Sequence, residues 1–366
     1  MSLEKQNIES VLPTTAMQAG MLYHSLAHEN SGSYVQILSA TLGADLNTDC
    51  WKLAWDKVCQ ALPTMRTSFA WEKQAKPLQV IFKKLDFPWH EDDLSKLDCV
   101  VQGLTLDNLI AGYQQDGFLL KKAPLMHFSL LNLGEKGYRF IWCHHHLLLD
   151  GWSLPIVMSM VLSAYQELLK GNRISLDQQY PHKPYFDWLQ RRPSHEGFWS
   201  ENLHQVDFSR KLATRLIQQS EASLATKYVN AQHELSETAT QQLHEAASRA
   251  GVTLAVFVES ALGLLLQKYI RSHDFVIGTV VSGRPSELSD MQHQVGMFIN
   301  TLPLRFTLDP SASVRDLLSQ VQQSMLGLLE RQDSDLMSIA KWCAVLPSES
   351  LFEVIFAFEN YPIDSD

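Results

Sequence analysis

Apolar residues recur at helical spacing in several stretches of the chain. Trp51, Trp55, Cys59 and Leu62 fall on one face of a helix. Asn47, Thr48 and Asp49 precede them, and all three are residue types that accept a first-turn amide at a helix start. A second helix is predicted from about Leu154 to Lys170, closed by Gly171, which tolerates the left-handed conformation of a C-terminal stop. Ser236 opens a third, ended by Gly251. Thr253 opens a fourth that runs to Ile270, apolar on most sides and therefore expected to be buried. Ser313 opens a fifth through Leu317, Leu318, Val321 and Leu328. Near the start, Leu3, Ile8, Val11 and Leu12 can share one face of a short N-terminal helix.

Other stretches read as strands. Tyr34–Leu42 is rich in β-formers, and Leu78–Phe82 is a short apolar run. Leu125–Leu133, then Gly134 and Gly137, then Tyr138–His145 form a hairpin pattern. Phe275–Val281 and Leu351–Phe358 read as central strands. This mixture predicts an α/β protein built of α+β layers around two cores. Asn172–Pro193 holds Pro181, Pro184 and Pro193 with little periodicity, so the boundary is expected there, dividing the chain into 1–175 and 176–366.

Composition narrows the function classes. The 366 residues are 45% hydrophobic and 19% charged, ordinary for a globular chain. Net charge is −10, and no basic run exceeds a pair, which argues against nucleic acid or an anionic membrane as partner. No apolar run approaches the roughly 18 residues of a spanning helix, and MSLEKQNIES has no signal-peptide core, so a cytoplasmic location is expected. Five dispersed cysteines fit neither a disulfide framework nor a structural zinc site.

The densest polar signal is CHHHLLLDGWS, Cys143–Ser153, between a predicted strand and a predicted helix. Strand alternation puts His144 and His146 on one side and His145 on the other. Asp150 and Gly151 suit a turn. Three readings fit these residues. The histidines can be a structural cluster. His144, His146 and Asp150 can ligate a metal. One histidine can carry protons for general acid–base work, with Asp150 holding the loop.

H-H-x-x-x-D-G, here His145, His146, Asp150 and Gly151, resembles the signature of condensation domains of nonribosomal peptide synthetases. LPTTAMQAGMLYHSL (Leu12–Leu26), MRTSF (Met65–Phe69), PYFDWLQ (Pro184–Gln190), SGRP (Ser282–Pro285), VGMFINTLPLR (Val295–Arg305) and LFEVIFAFENYP (Leu351–Pro362) resemble further family motifs in the family's order. The resemblance spans essentially the whole chain.

It implies two chloramphenicol acetyltransferase-like subdomains forming a V, with the signature at the floor of a central tunnel. Donor and acceptor carrier proteins are the implied partners, each presenting a phosphopantetheine thioester, and no cofactor is implied on the chain itself. The acceptor amine attacks the donor carbonyl, and the product is an amide. The implied catalytic residues are His146, as base or positioning group, with Asp150 and the Gly151 amide. His145, Arg284 and Arg66 are implied to support the site, with Asp150 paired to Arg284 across the subdomains. Trp152, Ser153, Asn300 and Tyr23 are implied to line the tunnel, and no metal is implied. A coenzyme A-dependent acyltransferase on the same fold, or a noncatalytic docking module, is the alternative.

Members that join two L-residues resemble A-Q-x-R-L-W near the start and H-H-x-x-S-D-G-W-S at the signature. MQAGMLYHSL and HHLLLDGWSLP instead resemble members that receive a D-residue from the donor. The N-terminal apolar residues suit either a frayed helix or a docking helix for an upstream part of a synthetase. Family members continue well beyond FENYP, so the chain is expected to lack the C-terminal edge of the second subdomain and to leave a sheet edge unfinished.

Overall fold

The computed structural model describes residues 6–27, 32–176, 182–208, 230–346 and 349–359. They fall into two compact units: the described parts of Met1–Arg192 together with Arg284–Ile299, and of Pro193–Gly283 together with Asn300–Glu359.

In the first unit, β1 (Ile8–Pro13), β3 (Thr67–Ala70) and β4 (Leu78–Phe82) form a sheet of order β1-β4-β3. A second sheet takes β2 (Val35–Leu42), β5 (Trp89–Asp93), β6 (Met126–Asn132) and β7 (Tyr138–His145) in the order β2-β7-β6-β5. The helices are α1 (Ala16–Ala27), α2 (Thr48–Ala61), α3 (Cys99–Asp116), α4 (Ser153–Leu169) and α5 (His182–Arg191). The predicted hairpin is β6–β7, in register from Met126↔His144 to Asn132↔Tyr138. Gly137 closes it at φ +83°, where a Cβ would run into the Leu42–Ala44 backbone.

β7 is central, and both of its faces are covered. Phe140 and Trp142 meet Trp55 of α2, with ring centroids 5.2 and 4.9 Å away. Ile141, on the other face, belongs to a smaller cluster with Leu131 and Leu133, packed by Leu106 and Leu109 of α3. Double coverage explains why Tyr138–His145 lacks polar alternation.

Ile8–Pro13 is a strand paired antiparallel to β4, which corrects the expected N-terminal helix. Ile8 and Val11 are three apart, which fits a helix face, but exposure alternates along the segment instead. Asn7 and Arg66 tie that segment to the far end of β4: Lys83 N–H donates to Asn7 O, and Arg66 donates to Glu9 and to the Phe82 carbonyl. Leu3 lies outside the described residues.

The second unit contains α6 (Glu196–Asn202), α7 (Glu237–Ala250), α8 (Leu254–Ile270), α9 (Val314–Leu329), α10 (Leu336–Trp342) and a sheet of order β10-β8-β9. Its strands are β8 (Asp274–Val281), β9 (Asn300–Thr307) and β10 (Ile355–Phe356). Asn47, in the first unit, and Ser236, Thr253 and Ser313 all cap their helices through the side chain, and Gly251 adopts the left-handed stop.

Two expectations change here. Leu351–Phe358 contributes only the two-residue β10, an edge strand parallel to β8, rather than a central strand. The ring of Phe352 occupies the space a Cβ would need at Gly278, so the approach to β8 is a side chain packed on a glycine. Asn360, Tyr361 and Pro362 of that motif lie outside the described residues. Helix α8 buries only one stripe, which includes Glu259, Ser260 and Gly263, and leaves Leu264, Leu265 and Tyr269 exposed.

Candidate active site

Strand β7 ends at His145, and α4 begins at Ser153, so the signature forms the connecting loop. The three histidines have different environments. His144 is 2% exposed and stacks on Trp142 at 4.5 Å. Burial, and then the neighbouring His146 and His145, push its pKa down to about 3. His145 is 3% exposed and accepts the Leu147 amide at Nδ1, 3.1 Å away. Burial and then His146 push it down to about 4. Both therefore stay neutral at pH 7.

His146 is only half-buried, and its Nδ1 lies 2.7 Å from the Leu149 carbonyl oxygen. A carbonyl only accepts, so Nδ1 carries the proton and Nε2 presents a lone pair. Its amide donates to the Tyr34 carbonyl at 2.7 Å, which fixes the base of the side chain.

The three leucines of the loop are buried. Their carbonyls are taken up one by one: Leu147 O by Gln18 Nε2 at 3.0 Å, Leu148 O by Thr64 Oγ1 at 2.7 Å, and Leu149 O by His146. The Gly151 amide makes no hydrogen bond to the described residues, which leaves it as a donor.

Asp150 is 1% exposed. Its Oδ1 accepts from the Ser153 amide, Ser153 Oγ and Arg284 at 3.0, 2.8 and 3.0 Å. Its Oδ2 accepts from Arg284 and the amides of Phe298 and Ile299 at 2.8, 3.0 and 3.3 Å. Six donors leave this carboxylate nothing to offer a metal, and among the described residues no group of three His, Cys, Asp or Glu side chains can hold one. The Arg284 pair closes within the first compact unit, because Arg284–Ile299 packs there.

Trp152 Nε1 donates to the Gln292 carbonyl, and the Arg284 guanidinium lies 5.8 Å from the Trp152 ring. Ser153 Oγ sits 3.0 Å from both the amide and the carbonyl of Gly296. The structure thus gathers His146, Asp150, Gly151, Trp152, Ser153 and Arg284 around one loop. Arg66 serves the β1–β4 sheet instead, through Glu9 and Phe82. Tyr23 is 73% exposed on α1. Asn300 belongs to the second unit, where its side-chain amide donates to the Gln332 and Ser334 carbonyls and accepts from Thr301. Gln18 and Thr64 were not among the sequence candidates. Gln18 stands within the first quoted motif and Thr64 directly before the second, and motif position was the one signal that pointed toward them.

Residues 8–366 match the family model of the condensation domain. The chain belongs to the condensation-domain family. This condensation domain is 36% identical over 367 residues to one of the linear gramicidin synthase proteins of Brevibacillus parabrevis, covering 98% of this chain and 5% of that protein. It is 30% identical over 361 residues to tyrocidine synthase 2 of the same organism, covering 98% of this chain and 10% of that protein. The chain is thus a small fraction of these relatives' lengths. Its fold is similar to the first condensation domain of the calcium-dependent antibiotic synthetase, with a TM-score of 0.74 and 16% identity over 93% of this chain and 80% of that one. The starter condensation domain of rhizomide synthetase gives 0.74 and 20% identity, covering 94% and 78%. The α+β layers expected from the sequence are those of this chloramphenicol acetyltransferase-like fold. Condensation domains are amide-forming acyltransferases that work with carrier-protein phosphopantetheine. Among the described residues, no single helix is long and apolar enough to cross a membrane.

Proposed function

We propose that this chain joins a carrier-bound donor acyl or peptidyl thioester to the amine of a carrier-bound acceptor aminoacyl thioester. The observation that carries this reading is the His146 ring, held by Leu149 O at Nδ1 with Nε2 available. The acceptor amine forms a C–N bond to the donor carbonyl carbon, and the C–S bond breaks. His146 Nε2 takes the proton that the nitrogen loses and passes it to the departing sulfur, so the thiol of the donor carrier leaves protonated and Nε2 is free again. The Gly151 amide, without a hydrogen bond to the described residues, is read as the donor to the developing oxyanion. Asp150, Ser153 and Arg284 are positioning residues, since their bonds go to one another and to the backbone beside them. Phosphopantetheine comes with the donor and acceptor carriers, and none is attached to this chain.

The donor is read as ending in a D-residue, supported by Leu149 where L-joining members carry serine and by MQAGMLYHSL near the start. An upstream synthetase protein delivers the donor near β1, where Val11 is exposed. Val11→Asp is expected to slow that transfer, and unchanged transfer overturns the docking reading. The working location is the cytoplasm. The deciding experiment supplies two loaded carrier proteins and follows amide on the acceptor. Faster turnover of donors ending in a D-residue supports the donor reading. Product formed only from a coenzyme A thioester and a free amine refutes the carrier-to-carrier reaction.

A further inference from the structure

The first unit contains a cavity of about 400 Å³ that the reaction above does not use, with His145 in its lining. That volume is within the roughly 300–1,000 Å³ of small-molecule pockets. Leu26, Val35, Trp71 and Phe118 supply apolar wall, and Lys121, Lys122 and Asp116 are the charged residues of the lining.

The chemistry of the ligand follows from His145. Its Nδ1 accepts the Leu147 amide, so the ring proton of the neutral form is on Nε2. Nε2 has no partner among the described residues. The cavity therefore offers one fixed N–H donor, which calls for an oxygen acceptor on the ligand. Lys121 lies over the Trp71 ring at 4.9 Å and pairs with Glu72, which leaves Lys122 against Asp116 as the further charges. Lys122 and Asp116 balance, and an ammonium head has no acceptor for the His145 N–H, so the donor favours a carboxylate head over an ammonium.

We propose that this cavity binds a medium-chain carboxylate, its oxygen accepting from His145 Nε2–H and its chain lying against Leu26, Val35, Trp71 and Phe118. Such a ligand bears on the signature loop, because the same ring holds the Leu147 amide.

Octanoate titrated into the full chain by calorimetry tests this without carrier proteins, so its outcome is independent of the proposed reaction. One saturable site is expected, with affinity rising about fourfold per methylene from hexanoate to octanoate. Octylammonium should bind at least ten-fold more weakly. In a chain carrying ¹⁵N-histidine, octanoate should shift the His145 Nε2 signal. Leu119→Asp changes an exposed residue of the lining. It should weaken octanoate at least ten-fold while circular dichroism is unchanged. Ser25→Phe, which fills the cavity from α1, should abolish binding. The proposal is overturned by the absence of saturable binding, by equal binding of octylammonium, or by full affinity in both variants.

Discussion

The Asp150–Arg284 pair makes an asymmetric prediction. Asp150→Ala leaves the Arg284 guanidinium, with a side chain 4% exposed, without its carboxylate. It also removes the carboxylate oxygen that the amides of Phe298 and Ile299 donate to, while the Ser153 hydroxyl keeps the Gly296 carbonyl. Removing one partner of a buried pair costs about 3–5 kcal/mol, and each lost amide bond adds to that. Arg284→Ala removes only two of the six donors to Asp150, which keeps the Ser153 amide and hydroxyl and the amides of Phe298 and Ile299. Its cost should be lower, about 1.5–3 kcal/mol. The double substitution should cost less than the sum by about 1–3 kcal/mol, because the second removal relieves a charge the first had stranded. Urea unfolding followed by the fluorescence of Trp51, Trp55 and Trp142, all buried in the first unit, measures the three differences. Arg284→Ala costing as much as Asp150→Ala, or strictly additive costs, would falsify the account of Asp150 as the hub of the loop.

Three other outcomes follow from the same structure. His146→Ala should lower amide formation about 10²–10⁴-fold with unfolding unchanged, and wild-type rates in the two-carrier assay would remove His146 from the chemistry. His144 and His145 have folded pKa values of about 3 and about 4, below the ordinary 6.5. The unfolded chain therefore binds more protons between these values, so their stabilising contribution is whole above about pH 6.5 and declines as pH falls toward 4. His144→Phe, which keeps the stack on Trp142, should flatten that acid-side decline in pH-resolved urea unfolding; an unaltered profile would count against a buried neutral His144. Glu259 is buried and bonded at one oxygen to Thr279, and burial pushes its pKa up to about 7. Its sign is opposite, with stability lost as pH rises from about 4.5 through 7. Glu259→Gln should then stabilise by about 2–3 kcal/mol at pH 8 and by little at pH 5, and equal effects at both pH values would refute it.

Helix starts were legible because capping is local: Asn47, Ser236, Thr253 and Ser313 sit within three residues of the amides they bind. The β6–β7 hairpin was legible for the same reason, since Gly134 and Gly137 adjoin the strands they join. Ile8–Pro13 was misread because a spacing of three fits a helix face, and its true partner, β4, lies about 70 residues away. Helix α8 was misread because its apolar count hid which side is covered. Glu259 lies on the buried stripe, and Leu265 is exposed. The histidines were legible as a cluster but not as individuals. Alternation along β7 places His144 over Trp142, yet only the packed sheet shows that it is sealed there while His146 is not.

The three residues between the histidines and Asp150 show what a motif pattern leaves out. Leu147, Leu148 and Leu149 are buried, so their carbonyls have left water and must find donors inside the protein. Those donors come from Gln18, 129 residues away, from Thr64, 84 residues away, and from His146 itself. The third bond is the one that sets the tautomer of His146. Burial of the leucines is therefore the physical cause of the loop's fixed backbone, and the fixed backbone is the cause of the ring's orientation. Asp150 continues the same logic at the far end, since its donors lie up to 149 residues away in sequence. A motif written as two histidines, three free positions, an aspartate and a glycine names the groups that face the chemistry. The bonds that hold those groups in place run to residues the motif does not contain, and only the closed hydrogen-bond account of the folded loop reveals them.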